Sequence, residues 1–411
     1  VNSPEGSVRR VKPILLLLMM ATLAACGGNA PAPTNTPAVQ GTRGPLPTLN
    51  PVVWRKAGSA VTLVNAARIE LLGTLIKHEA SVNQIDFSPD SRGMLTLDGV
   101  GTGHLWDTET GANRFTFAET SALYAAFNAD GSQVISAMTD GTLQFLTTAD
   151  GLIASNVQAN SGGVLAMAIS ADRTRLATGG PRGDILIWDV ATRGIVHRID
   201  LKRPIGIVAL VFSRDGKLLA SATSDQVLHT WAVESGTQTA INAQLPTPLN
   251  RLLFTPDGTL LLAASERVVY ALATTTLETR WQITGRDQDS GAGMAISPDS
   301  QLLALGSTGE TLTVWSLLTG KEQVVLLEQQ RTGSSLEFSP NGELLLNTLL
   351  LANQGSFVWS VASFLDDDPK VQGKNFNPSL NGILLGAWSP DGRYIVLADG
   401  SGGLYVWGMP A

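Results

Sequence analysis

The sequence predicts an all-β domain assembled from eight copies of one small antiparallel unit, and two observations carry that prediction. A bulky apolar residue is followed by a Ser-Pro-Asp-Gly-like turn at Phe87, Phe127, Ile169, Phe212, Phe254, Ile296, Phe338 and Trp388, at intervals of 40, 42, 43, 42, 42, 42 and 50 residues. Each is answered 16 to 21 residues later by an aromatic anchor: Trp106, Phe145, Trp188, Trp231, Tyr270, Trp315, Trp359 and Trp407. A fixed period of this length marks stacked copies of a supersecondary unit that cannot bury its apolar face alone.

The stretch from Ile205 to Gly236 shows the unit in order. Ile207 to Phe212 reads as a strand buried on both faces, and Ser213-Arg214-Asp215-Gly216 turns the chain. Leu218 to Ala222 forms a second strand, Ser224-Asp225 a second turn, and Val227 to Ala232 a third strand ending on Trp231. Short apolar or alternating runs separated by Ser, Asp and Gly are the mark of an antiparallel meander. No segment of the array sustains a helical period.

These copies resemble WD-repeat β-propellers. Leu105-Trp106-Asp107 and Ile187-Trp188-Asp189 carry the family dipeptide, and Thr110-Gly111, Ser235-Gly236 and Thr319-Gly320 follow in place. Phe145-Leu146 and Tyr270-Ala271 depart from the dipeptide, and the family's Gly-His element survives only loosely, at His78. The resemblance implies four-stranded antiparallel blades in which the aromatic ends the third strand. Counted that way, the last blade lacks its outer strand, and Arg68 to Ile76 is a spare strand ahead of the first anchor. Pairing the two closes the ring. The expectation is an eight-bladed propeller over residues 66–411, with seven blades as the alternative if the copy around Tyr270 does not form.

The N-terminal residues belong to another class. Arg9, Arg10 and Lys12 precede an apolar run from Ile14 to Ala25, which as a helix would span roughly 18 Å against a hydrocarbon core of about 30 Å. That is a signal peptide, residues 1–25, and not a permanent span. Leu23-Ala24-Ala25-Cys26 resembles the lipobox of bacterial lipoproteins, which implies lipidation of Cys26, the single cysteine of the chain. Two acyl chains would anchor it stably. Residues 26–65, rich in Pro, Thr and Gly, read as a flexible tether. Without residues 1–25 the chain carries 25 basic and 34 acidic residues, a net charge of −9, which disfavours nucleic acid as a partner.

No catalytic, metal-binding or cofactor-binding constellation is expected. His104 and His229 each fall two residues before a third-strand Trp and should pack between blades; His197 falls in an outer strand, and His78 suits a structural hydrogen bond. Asp366-Asp367-Asp368-Pro369 lacks the further ligands and Gly turn of a calcium loop and reads as a solvated loop. Val269-Tyr270-Ala271-Leu272 with Trp281 is similar to the repeat of quinoprotein propellers, but occurs once. The leading expectation is therefore a lipid-anchored extracytoplasmic scaffold, not an enzyme, that binds a protein or peptide on its rim. Alternatives are an envelope protein-assembly factor and a quinone-binding propeller dehydrogenase. Arg182, Arg286, Asp287 and Arg331 are the exposed rim candidates.

Overall fold

The turn that marks each repeat is held by its own side chains. In the first copy Ser88 Oγ donates to Asp90 Oδ1 at 2.6 Å and accepts the Gly93 amide at 2.7 Å, while the Asp90 carboxylate accepts the Arg92 amide at 3.0 Å. The arrangement recurs at Ser213–Asp215, Thr255–Asp257, Ser297–Asp299 and Ser389–Asp391. The Ser hydroxyl draws the Asp90, Asp172 and Asp215 carboxyls below their ordinary pKa. These aspartates are spent on folding and are not free for chemistry.

The computed structural model describes residues 54–411 except 76, 118–120, 244, 250, 266–267, 285–292, 307–310, 328–334, 349–355 and 366–381. Cys26 and the signal peptide lie outside the described residues, as do Arg286, Asp287, Arg331 and Asp366 to Asp368. The domain is an eight-bladed β-propeller. Six sheets have four antiparallel strands running in chain order from inner to outer, blade five, around Tyr270, among them, and the four-stranded blade eight takes its outer strand from the N-terminal end of the domain. In blade one these are Val82–Phe87, Gly93–Asp98, Gly103–Asp107 and Asn113–Phe117. Blade seven shows three strands among the described residues, Leu336–Phe338, Leu344–Asn347 and Phe357–Ser360.

The spare strand closes the ring as expected. Strand β1 (Glu70–Leu75) pairs with Leu404–Gly408, with Leu71 opposite Trp407 and Leu75 opposite Leu404. The seam between blades eight and one is then packed like any other, by Leu72, Val82, Phe87, Met94, Trp106, Tyr394 and Val396.

Two anchors need correction. Each inner-strand anchor pairs with a second-strand residue that pairs in turn with the third strand, giving Phe87–Met94–Trp106 and Ile169–Leu176–Trp188. The same trace gives Phe127–Val134–Leu146 and Phe254–Leu261–Leu272. Leu146 and Leu272, not Phe145 and Tyr270, hold the Trp position. Strand side chains alternate between faces, so Phe145, one residue off, faces the following blade, whereas Tyr270, two off, keeps the face of Leu272. Both are buried, which is why aromaticity alone misplaced them.

The blade rims obey a complementarity that single repeats do not show. The outer strand of one blade offers a ring to the turn after the third strand of the next, and that turn then carries Gly. Phe115 sits on Gly151, His197 on Gly236 and Trp281 on Gly320, so close that a Cβ on these glycines would lie 2.7, 2.7 and 2.4 Å from the ring. Where the outer strand offers only Ser155 or Ala240 in the same register, the turn itself supplies the bulk, with Arg193 or Leu277 at positive φ. Arg193 lies 5.2 Å from the Phe145 ring centroid, and Leu277 is buried in the cluster against which Ala240 packs.

Blade eight has Gly73 in that register, and its ring comes from elsewhere. Trp54 lies over both Gly73 and Gly111, where added Cβ atoms would stand 2.6 and 2.3 Å from it, and its Nε1 donates to Glu109 O at 2.9 Å. The chain from Trp54 to Asn65 then crosses blade eight as a strap. The Arg55 amide donates to Leu72 O, Gly58 to Met409 O and Val61 to Gly392 O, and the Leu63 amide donates to Glu343 of blade seven. Residues 54–65, placed in the tether by composition, are thus part of the folded domain.

Candidate interaction surface

The histidines do structural work. His78 Nε2 lies 2.8 Å from Thr96 Oγ1, which also accepts Trp106 Nε1 at 2.8 Å, and His78 Nδ1 lies 3.2 Å from Asp98 Oδ2. His104 meets His78 edge-on at 4.4 Å between ring centroids; burial, then the His78 charge, push its pKa down to about 4, so it is neutral at pH 7. His229 stacks on Trp231, and His197 Nε2 contacts Glu234 O. No group of three or more His, Cys, Asp or Glu among the described residues could hold a metal ion. Trp281 is committed to Gly320 and to Leu317 O, and Tyr270 to the core.

The inner strands ring the axis, and counting back from each anchor gives equivalent positions. Three residues back, Gln84 bonds both backbone groups of Ala125, Tyr124 donates to Leu165 O at 3.0 Å, and Ser335 bonds Gly386. One residue back, Asp86 accepts the Phe127 amide and Glu337 accepts the Trp388 amide at 3.0 Å. Polar inner-strand side chains therefore stitch blade one to two, two to three and seven to eight. Sequence reasoning missed them, because their partners lie 41 to 51 residues away.

The two carboxylates differ in one respect. Arg173 of blade three donates from Nη2 to Asp86 Oδ1 and from Nη1 to Asp86 Oδ2, both at 2.9 Å, and also to Phe87 O and Phe127 O. It ties three blades at once. Glu337 has no such cation among the described residues, and the residue at the corresponding turn is Ser91, whose hydroxyl accepts the Asp391 amide. Burial pushes the Glu337 carboxyl up to about 7. Between about 4.5 and 7 the folded chain thus binds more protons than the unfolded one, so stability is full below 4.5 and falls as pH rises through 7, by up to about 3 kcal/mol. Glu337→Gln keeps the acceptor and removes the charge. Its urea midpoint should fall less than that of the unsubstituted protein between pH 5 and pH 8, and parallel curves would refute the assignment.

Four residues back, the inner strands of blades one, two, four and eight bulge, between Val82 and Gln84, Ala122 and Tyr124, Ile207 and Ala209, and Ile383 and Leu385. A bulge drops one residue out of the ladder and re-aims its side chain. Leu123 and Val208 are the bulged residues, and Leu165 is their counterpart in blade three; they are 40%, 38% and 41% exposed. Their strands are neighbours at this end: Tyr124 bonds the Leu165 carbonyl, and Leu165 Cδ1 would lie 3.2 Å from a Cβ on Gly206. Val100, 49% exposed on a turn of blade one, extends the row, because Gly101 lies against Ser121 and Ala122. The result is an apolar arc over four successive blades, at the end of the ring opposite the strap. Of the rim candidates, Arg182 is described and exposed at this end, beside Gly162. In blade five the three-back position is Arg251, whose guanidinium has no hydrogen bond or ion pair among the described residues and whose pKa is lowered by burial.

Comparison with known proteins agrees with this geometry. Residues 69–107 and 152–189 match a family model described as WD domain, G-beta repeat, and residues 181–346 match one described as outer membrane protein assembly factor BamB. Pre-mRNA-processing factor 19 homolog 2 of Arabidopsis thaliana is 28% identical over 261 residues, 60% of this chain and 49% of that protein. A WD repeat-containing protein WDS homolog of the same plant is 22% identical over 300 residues, 72% of this chain and 48% of that one. The chain spans about half the length of these curated relatives. The crystal structure of the computationally designed Ika8 protein superposes with a TM-score of 0.65 at 17% identity, covering 82% of this chain and 98% of that one. Geometry and comparisons together support a WD-repeat β-propeller.

Proposed function

We propose that the protein is an interaction scaffold that holds a protein or peptide partner at the mouth of the ring and is lipid-anchored through Cys26 on the extracytoplasmic side of a membrane. The observation that carries the scaffold reading is the arc of Val100, Leu123, Leu165 and Val208, since large apolar side chains exposed at one end of successive blades suit an interaction site. The anchoring rests on the Leu23-Ala24-Ala25-Cys26 tetrad. Crosslinking in the native host followed by affinity capture is expected to recover a partner from the unsubstituted protein and much less from Leu165→Asp. Equal recovery from both would remove the arc from the interface. Cys26→Ser should shift the protein from the carbonate-washed membrane fraction to the soluble one, and persistence on the membrane would rule out the lipid anchor.

A second reading is favoured by the match of residues 181–346 to the assembly-factor model: the scaffold serves protein insertion in a bacterial envelope. Membrane-insertion machinery among the crosslinked partners would support it, and a partner set without it would set it aside.

A further inference from the structure

Arg251 stands apart from its equivalents. Gln84, Tyr124 and Ser335, in the same inner-strand register, each spend their polar end on the backbone of the following blade. Among the described residues Arg251 makes no such bond, and the following blade offers it Gly293 and Met294. An unpaired guanidinium set among inner strands is unfavourable until an anion completes it, and its planar fork fits a carboxylate with two parallel bonds. The arc ends one blade earlier, at Val208, and Arg251 stands in the next blade one residue nearer its anchor, with no polar partner among the described residues.

Resting on the scaffold reading above, we propose that this mouth binds an extended polypeptide segment whose apolar side chains lie along Val100, Leu123, Leu165 and Val208 and whose carboxylate is taken by Arg251. The row has one side chain per blade on four successive blades, which suits an extended segment crossing the inner strands. Exposed Arg182 at the same end adds attraction for an acidic segment. Polyanions such as nucleic acids fit poorly, because the surface leading to Arg251 is apolar and the chain is acidic overall.

The test uses the full chain and two fluorescein-labelled octapeptide pools randomised over Leu, Val, Ile, Phe and Ser. One pool ends in Asp with a free carboxylate, the other in Asn amide. The acidic pool should bind about tenfold more tightly by fluorescence polarisation. Arg251→Leu should abolish that preference while leaving the far-UV spectrum intact and the urea midpoint unchanged or higher, since an unpaired charge is removed. Leu165→Asp should weaken both pools. Equal binding of the two pools, no binding of either, or a preference that survives Arg251→Leu would overturn the proposal. If host partners are still captured by a Leu165→Asp/Arg251→Leu double variant, this site falls while a scaffold acting through another surface stands. Loss of capture together with loss of the acidic preference supports the site.

Discussion

Trp54→Ala is expected to destabilise the domain by about 2–3 kcal/mol, near the low end for a large aromatic because the ring is half-buried. It opens a gap over Gly73 and Gly111 and removes the bond to Glu109 O. The rim complementarity predicts how to repair it. Other blades supply the ring from the outer strand itself, as Phe115 and Trp281 do, so Gly73→Phe in the Trp54→Ala background should recover at least half of the loss. The same Gly73→Phe in the otherwise unsubstituted chain should destabilise, because its side chain would collide with Trp54. Urea midpoints of the four proteins decide the matter. If Gly73→Phe has the same sign in both backgrounds, Trp54 does not fill an outer-strand position.

Arg173→Ala should cost about 3 kcal/mol, because it leaves the largely buried Asp86 carboxylate without its cation and frees two carbonyls, Phe87 O and Phe127 O. Arg173 occupies the turn position that is Gly131, Gly216, Gly258, Gly342 and Gly392 in five blades, and it holds φ at 56°. A side chain in that conformation costs roughly 1 kcal/mol relative to Gly. Arg173→Gly should therefore be milder than Arg173→Ala by about that amount. A double-mutant cycle with Asp86→Asn should give a coupling of about 2 kcal/mol, and a coupling near zero would remove the three-blade clamp. The other two departures from Gly, Ser91 and Ser300, also carry positive φ, and their hydroxyls accept the Asp391 and Asp257 amides of the preceding blade. Strain at this turn is accepted where the side chain gains a bond to a neighbouring blade.

What the sequence revealed follows from the range of each interaction. The Ser-Pro-Asp-Gly turns were legible because Ser88, Asp90 and Gly93 satisfy one another within six residues. Strand β1 was legible because a blade count left one strand over at the N-terminal end and one missing at the C-terminal end. Register was not, where the aromatic is displaced: Phe145 and Tyr270 are as buried as a true anchor, and only pairing shows that Leu146 and Leu272 hold the place. Trp54 was hidden in a stretch whose composition reads as linker, because the glycines that receive it lie 19 and 57 residues away. The arc and Arg251 were hidden for a different reason. An inner-strand bulge leaves no residue signature, and an arginine without a partner looks the same in sequence as one that has a partner.

The strap also sets how the ring bears load. A pull on the chain ahead of Trp54 does not fall on β1 and peel it from Leu404–Gly408 one bond at a time. It is shared first by the ring wedged over Gly73 and Gly111 and by the bonds to Leu72, Met409, Gly392 and Glu343, which are spread over blades one, eight and seven. The seam is the one place where the circle depends on two distant parts of the chain meeting, and it is shielded from tension by a dozen residues that join no sheet.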